Sequence, residues 1–201
     1  MDKRKEEIVE IAIKRFSHYG FGKTTMNEIA EDLGITKANL YYYYPDKSAL
    51  IKDVICYVSQ VLNEKESKLL DSYSGDFLGT LFALLELRAE HMRKYYIFYI
   101  NENLDWIKGA ELTAFFKKIN DKDFELLKAL FHKAVDSGVL LLKNVDESVE
   151  TFIDIVRGMS FYHTAQDIIS GIPNPDNVDK IVTSQKRAIQ LIFEERIVTN
   201  K

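Results

Sequence analysis

The stretch Thr24-Thr25-Met26-Asn27-Glu28-Ile29-Ala30-Glu31-Asp32-Leu33-Gly34-Ile35-Thr36-Lys37-Ala38-Asn39-Leu40-Tyr41-Tyr42-Tyr43-Tyr44-Pro45-Asp46 sets two short amphipathic segments on either side of one glycine. Thr25 followed three residues later by Glu28 is a capping box, in which each side chain satisfies an orphan backbone N–H at a helix start. Met26, Ile29, Ala30 and Leu33 give that helix its buried side, and Gly34 ends it after barely two turns. Thr36 can cap a second short helix over Lys37–Tyr43, which Pro45 stops.

Working outward, the same periodicity continues. A first helix is predicted over 3–19, with Ile8, Ile11, Ala12, Arg15, Phe16 and Tyr19 in one stripe. It should stop at Gly20 in the left-handed conformation of a helix C-terminus. Asp46 can cap a long helix that runs to about residue 69, carrying Leu50, Val54, Tyr57, Val58, Val61 and Leu62. Further helices are predicted over about 76–93, 95–104, 111–136, 146–169 and 177–197. No Asn-Gly or Asp-Gly hairpin turn occurs, and two of the three prolines, Pro173 and Pro175, share one short break. The expected fold is all-α with about nine helices. A three-helix helix-turn-helix domain occupies 1–50, and a helical ligand-binding and dimerisation domain occupies 51–201.

Composition narrows the function classes. Apolar residues make up 46% and charged residues 29%, which is ordinary for a soluble globular chain. No run of eighteen apolar residues indicates a membrane span, and the charged start at residues 1–7 is unlike a signal peptide. The expected compartment is the cytoplasm. A single cysteine, Cys56, excludes an intramolecular disulfide and a multi-cysteine zinc site. His18, His91, His132 and His163 are scattered without metal-ligand spacing. Neither a metal nor a cofactor is expected, and the chain is not expected to be an enzyme. Residues 1–50 balance at eight Lys/Arg against eight Asp/Glu, so the net charge of −4 falls entirely on residues 51–201. That balance neither favours nor excludes DNA, because a small reader needs positive charge only at its contact face.

The short helix over Lys37–Tyr43 has the chemistry of a reading helix. Thr36, Lys37, Asn39, Tyr41, Tyr42 and Tyr43 lie on its polar sides, Ala38 is small enough to approach a thymine methyl, and Leu40 faces the core. Lys37 and Lys47 can neutralise phosphates, and the helix start at Thr25 offers backbone N–H groups to another. Tyr44 is the tyrosine of the run expected to point inward.

The segments Gly20–Ala30 and Leu33–Leu50 resemble the DNA-binding domain of TetR-family repressors, over about the first fifty residues. Tyr44 stands where that family usually has Phe, which adds a hydroxyl needing a partner. The resemblance implies about nine helices, a homodimer, a palindromic double-stranded operator and repression relieved by a small molecule. It also implies that Thr25, Thr36, Lys37, Ala38, Asn39, Tyr41, Tyr42 and Lys47 line the DNA face.

Two further groups are read from the residues themselves. Tyr95, Phe98, Tyr99, Trp106, Phe115 and Phe116 can wall an apolar pocket in which His91 or Glu102 orients a small-molecule effector. Each aromatic alone is better explained by packing. Val149, Phe152, Ile153, Val156 and Ser160, with Ile181, Gln185, Ala188, Ile189 and Ile192, form stripes on the last two helices that would meet across a two-fold dimer. Packing of both stripes within one subunit is the other reading. The alternative function class is a helical enzyme or small-molecule carrier using the aromatic cavity, which would leave the tyrosine-rich short helix unexplained. A DNA-bound regulator controlled by a partner protein is the third.

Overall fold

The capping residues set where the helices begin. The computed structural model describes residues 3–99 and 110–198, which hold α1 (Lys3–Lys23), α2 (Met26–Asp32), α3 (Lys37–Tyr43), α4 (Lys47–Asp71), α5 (Phe77–Lys94), α6 (Tyr96–Tyr99), α7 (Ala110–Asp136), α8 (Val145–Ser170) and α9 (Asn177–Phe193). The Glu28 N–H donates to the Thr25 hydroxyl at 3.3 Å and the Thr25 N–H to the Glu28 carboxylate at 2.8 Å, closing the capping box. Thr36 accepts from the Asn39 N–H at 3.2 Å, and Asp46 from the Ala49 N–H at 2.8 Å. Asp76 and Asn144 cap α5 and α8 in the same way.

Three features differ from the sequence reading. Gly20 has φ 78° and ψ 166°, a region open essentially to glycine alone and distinct from the left-handed helical one. The chain therefore bends without stopping, and a last helical turn carries Phe21 back against Phe16, with ring centroids 5.0 Å apart. Tyr19 is not in the buried stripe. It is 51% exposed, because the inward face of α1 is Ile8, Val9, Ala12 and Phe16. At the other end, α9 stops at Phe193 and a 3₁₀ turn follows over Glu194–Arg196. Ile197 then pairs with Leu140, and the Leu141 N–H donates to the Arg196 carbonyl at 2.9 Å.

Two apolar cores share one long helix. Ile8, Phe16, Ile29, Leu40 and Tyr44 pack with Leu50, Ile51 and Val54 of α4. The first core thus runs past residue 50 into α4. Farther along, Leu70 of the same helix joins a second core from α5, α7, α8 and α9. Four rings interlock there: Phe77 lies 5.0 Å from Phe131 and 5.3 Å from Phe193, and Phe131 lies 5.7 Å from Phe152. None of the described helices is long and apolar enough to cross a membrane.

The stripes read as a subunit interface are corrected by this packing. Val149, Phe152, Ile153, Val156, Ile181, Gln185 and Ile189 are buried within the single chain, and Ser160, Ala188 and Ile192 are half-buried. The cause is that α8 and α9 pack on each other while α8 also meets α7 and α9 meets α5, which covers most of both stripes.

Candidate nucleic-acid interface and cavity

The three-helix unit presents α3 outward. Leu40 is its one buried residue among the seven, while Thr36, Lys37, Ala38, Asn39, Tyr41 and Tyr42 are exposed. Thr25 is exposed at the start of α2. Lys37 stands over the Tyr41 ring with its Nζ 5.7 Å from the centroid, and Tyr42 meets Tyr43 edge-on at 5.2 Å. Tyr43 is half-buried against the first core. Tyr44 points inward, and its hydroxyl donates to Asp53 at 2.9 Å, giving the extra oxygen its partner. Burial, with the Asp53 bond, pushes that hydroxyl's pKa upward.

Lys47 is placed differently from the sequence reading. Its Nζ donates to the carbonyls of Phe21 at 2.7 Å and Thr24 at 3.0 Å, so it ties the start of α4 to the turn between α1 and α2. The reason is that the carbonyls at the end of α1 have no helical N–H donor, and a cation answers them. Arg15, read as part of an apolar stripe, clamps α1 to α2 through Glu28 at 3.0 Å and Asp32 at 2.6 Å. A cation within an apolar stripe, with two acids at i, i+4 spacing downstream, was the available signal. Glu28 is held below the usual carboxylate range, first by the Thr25 N–H and then by its hydroxyl and Arg15.

A cavity of about 380 Å³ lies between the end of α1 and helices α4 to α9. Part of its wall is apolar, with Phe21, Ile55, Val58, Met92, Tyr95, Phe98 and Val178. Other parts carry Glu66, Arg88, Asp123 and Arg157 with Asn63, Asn120 and Ser160. Of the predicted pocket residues, His91, Tyr95 and Phe98 line it; Glu102, Trp106 and the side chains of Tyr99, Phe115 and Phe116 lie outside the described residues. Val156, Ser160, Ile181 and Gln185, assigned from sequence to a subunit interface, line this cavity instead. His91 Nε2 lies 3.1 Å from the Val58 carbonyl, and burial pushes its pKa down. A second concavity, of about 700 Å³, is lined among the described residues by side chains between Val135 and Arg196.

Rings connect the cavity to the unit that carries α3. His91 lies 4.8 Å from Tyr95, Tyr95 stacks on Phe98 at 5.8 Å, and Phe98 stacks on Phe21 at 5.1 Å and 18°. Phe21 then meets Phe16 of the first core. On its other side α6 is held by the Tyr96 hydroxyl, which donates to the buried Asp167 of α8. Asp167 also accepts from the Asn174 N–H at 2.9 Å and from Asn177 at 3.1 Å.

A short, capped, outward-facing helix on a clamped three-helix unit, above a separate helical body with a cavity, defines a helix-turn-helix DNA-binding protein. Residues 8–54 match the family described as bacterial regulatory proteins, tetR family. That stretch is thus a TetR-type DNA-binding domain, which makes the chain a DNA-binding transcriptional regulator. It is similar to the regulator RutR of Escherichia coli, at 34% identity over 46% of this chain and 42% of RutR. It is similar over a longer span to YhgD of Bacillus subtilis, an uncharacterised regulator, at 23% identity over 75% of this chain and 78% of that one. Among solved structures, a transcriptional regulator from Cytophaga hutchinsonii superposes with a TM-score of 0.80 at 28% identity, covering 96% of this chain and 99% of that one.

Proposed function

We propose that this chain is a homodimeric repressor that reads a palindromic operator with α3 and is released by a small molecule lodged in the cavity. In this reading residues 1–50 bind DNA, and residues 51–201 bind the effector and dimerise. The observation that carries it is the run of ring contacts from His91 to Phe16, because it joins the cavity directly to the core behind α3. The dimer is supported by the large apolar side chains left uncovered on the last two helices: Phe161 and Tyr162, with Ile169 one face-repeat along α8, and Leu191 of α9 are 66–83% exposed. A two-fold partner would bury each of them twice. The dimer must set two α3 helices about 34 Å apart to enter successive major grooves. Release requires an effector that binds the non-operator spacing more tightly, since equal affinity shifts nothing.

Selection of bound duplexes from a random pool by the purified chain, followed by sequencing, tests the reading. One enriched palindrome with half-sites about one helical turn apart is the expected result. A folded, dimeric protein that enriches nothing at low salt would overturn it.

A further inference from the structure

Resting on that reading of the cavity, we propose that its effector is uncharged, with an apolar or aromatic body ending in a group that both donates and accepts hydrogen bonds, such as a carboxamide or an alcohol. The charges on the described wall cancel. Arg88 binds Glu66 through Nε at 2.7 Å and Nη2 at 3.3 Å, and its Nη2 also donates to Asp123. The other oxygen of Asp123 accepts from Arg157 at 2.9 Å. Two cations and two carboxylates, one each from α4, α5, α7 and α8, form a continuous chain of pairs. Glu66 is only 2% exposed. A ligand carboxylate entering here would compete for an arginine and leave a carboxylate unpaired away from water. A ligand ammonium would do the same to an arginine. Breaking a buried pair in this way is far more costly than leaving it whole. His91, on the same wall system, is kept neutral by burial and supplies no counter-charge.

Neutral hydrogen-bonding capacity, by contrast, is left open. Gln185 is 5% exposed and uses Nε2 on the Val156 carbonyl at 2.9 Å and the Ser160 hydroxyl at 3.0 Å. Its Oε1 accepts from nothing among the described residues, and neither does Nη1 of Arg88 donate to anything there. A ligand group with one N–H or O–H and one acceptor lone pair answers both. Its body would lie against the apolar part of the wall.

Three probes of one shape separate the cases: 4-phenylbutanamide, 4-phenylbutanoate and 4-phenylbutylamine, titrated calorimetrically into the full chain at pH 7. The amide is expected to bind at least about tenfold more tightly than either ion. Arg157→Gln leaves the wall one negative charge in excess, and the amine should then gain about tenfold; Asp123→Asn should do the same for the butanoate. Arg157 is nearly half-exposed, so its variant keeps the test available if Asp123→Asn does not fold. Wild-type protein that takes either ion as tightly as the amide overturns the inference and leaves the cavity as effector site. Failure of all three to bind removes the effector-site reading itself, and the inference with it.

Discussion

Gly20 and Gly22 lie two residues apart and should respond to alanine with opposite signs. At Gly20 an added Cβ would meet nothing closer than Ile97 Cδ1 at 4.0 Å, so crowding is not the issue. The backbone is: φ 78° with ψ 166° costs a non-glycine residue about 1–3 kcal/mol. Relaxing the strain by straightening α1 is also unfavourable. It would swing Phe21 off Phe98 and move the Gly20 carbonyl, which accepts from the buried Thr24 hydroxyl at 2.9 Å. Gly22 has helical backbone and nothing within 4 Å of a built Cβ. Alanine there should stabilise by about 0.4–1 kcal/mol by restricting the unfolded chain. For a chain of this size, 1 kcal/mol moves the midpoint by about 2–4 °C, so Gly20→Ala melts roughly 4–8 °C lower for a 2 kcal/mol loss and Gly22→Ala slightly higher. Urea unfolding followed by circular dichroism gives both free energies. Gly20→Ala as stable as wild type, or the two variants shifting alike, would refute the assignment of the bend to backbone strain.

Lys37→Ala should weaken operator binding and lower the slope of log K against log salt by about one, whereas Lys47→Ala should leave the slope unchanged and cost about 1–3 kcal/mol of stability; equal slopes for the two variants would return Lys47 to the phosphate face. Burial opposes the Asp167 charge, yet the donors Tyr96, Asn174 and Asn177, with Lys180, outweigh it and hold its pKa below the usual carboxylate value. Its contribution is therefore complete above the unfolded value of about 3.9 and lost as pH falls through the folded one, so Asp167→Asn should flatten the acid limb of urea stability measured from pH 5 to 2. His91 has the opposite kind of shift: burial lowers its pKa, so the unfolded chain takes the proton first and stability declines as pH drops below about 6.5. His91→Gln should remove that decline between pH 7 and 5. If the chain dimerises through α8 and α9 as proposed, Phe161→Glu should convert the dimer to monomer in sedimentation, and a variant that stays dimeric would place the interface elsewhere.

How far the sequence was legible depended on whether a signal was local. The caps at Thr25, Thr36 and Asp46 needed only residues three apart, and the structure closes all three. The inward turn of Tyr44 followed from helical spacing and Leu40. Where the sequence reading went astray, the deciding contact was long-range. An apolar stripe on α8 states that a face is buried, and says nothing of whether the covering surface belongs to α9 of the same chain or to a second subunit. The residues left for a partner, Phe161, Tyr162 and Ile169, carried no marker in the periodicity, because they lie on the opposite side of an α8 that is apolar on two faces. Lys47 was misplaced for a related reason: a lysine beside a reading helix has a phosphate as its default partner, and the carbonyls of Phe21 and Thr24 lie more than twenty residues away. The polar chain Glu66–Arg88–Asp123–Arg157 joins four helices and left no trace in spacing at all.

The two attachments of α6 differ in strength, and the difference bears on how release would begin. At one end the Tyr96 hydroxyl donates to a buried carboxylate, a charge-assisted bond of about 1.5–3 kcal/mol, and Asp167 is itself fixed by Asn174 and Asn177. At the other end Phe98 holds Phe21 by ring stacking, about 0.5–1.5 kcal/mol beyond simple burial. A helix of four residues has no room to bend internally, so a displacement at Phe98 must open one end or the other. The stack is the weaker. Under the proposed mode of release, a ligand that parts Phe98 from Phe21 therefore leaves α6 anchored to α8 and frees the end of α1. The bend at Gly20 and the Lys47 bonds to Phe21 and Thr24 sit at that freed end. The side of the molecule that moves is then the one carrying α3, while the faces of α8 and α9 stay as they are, and a dimer can change the spacing of its reading helices without coming apart.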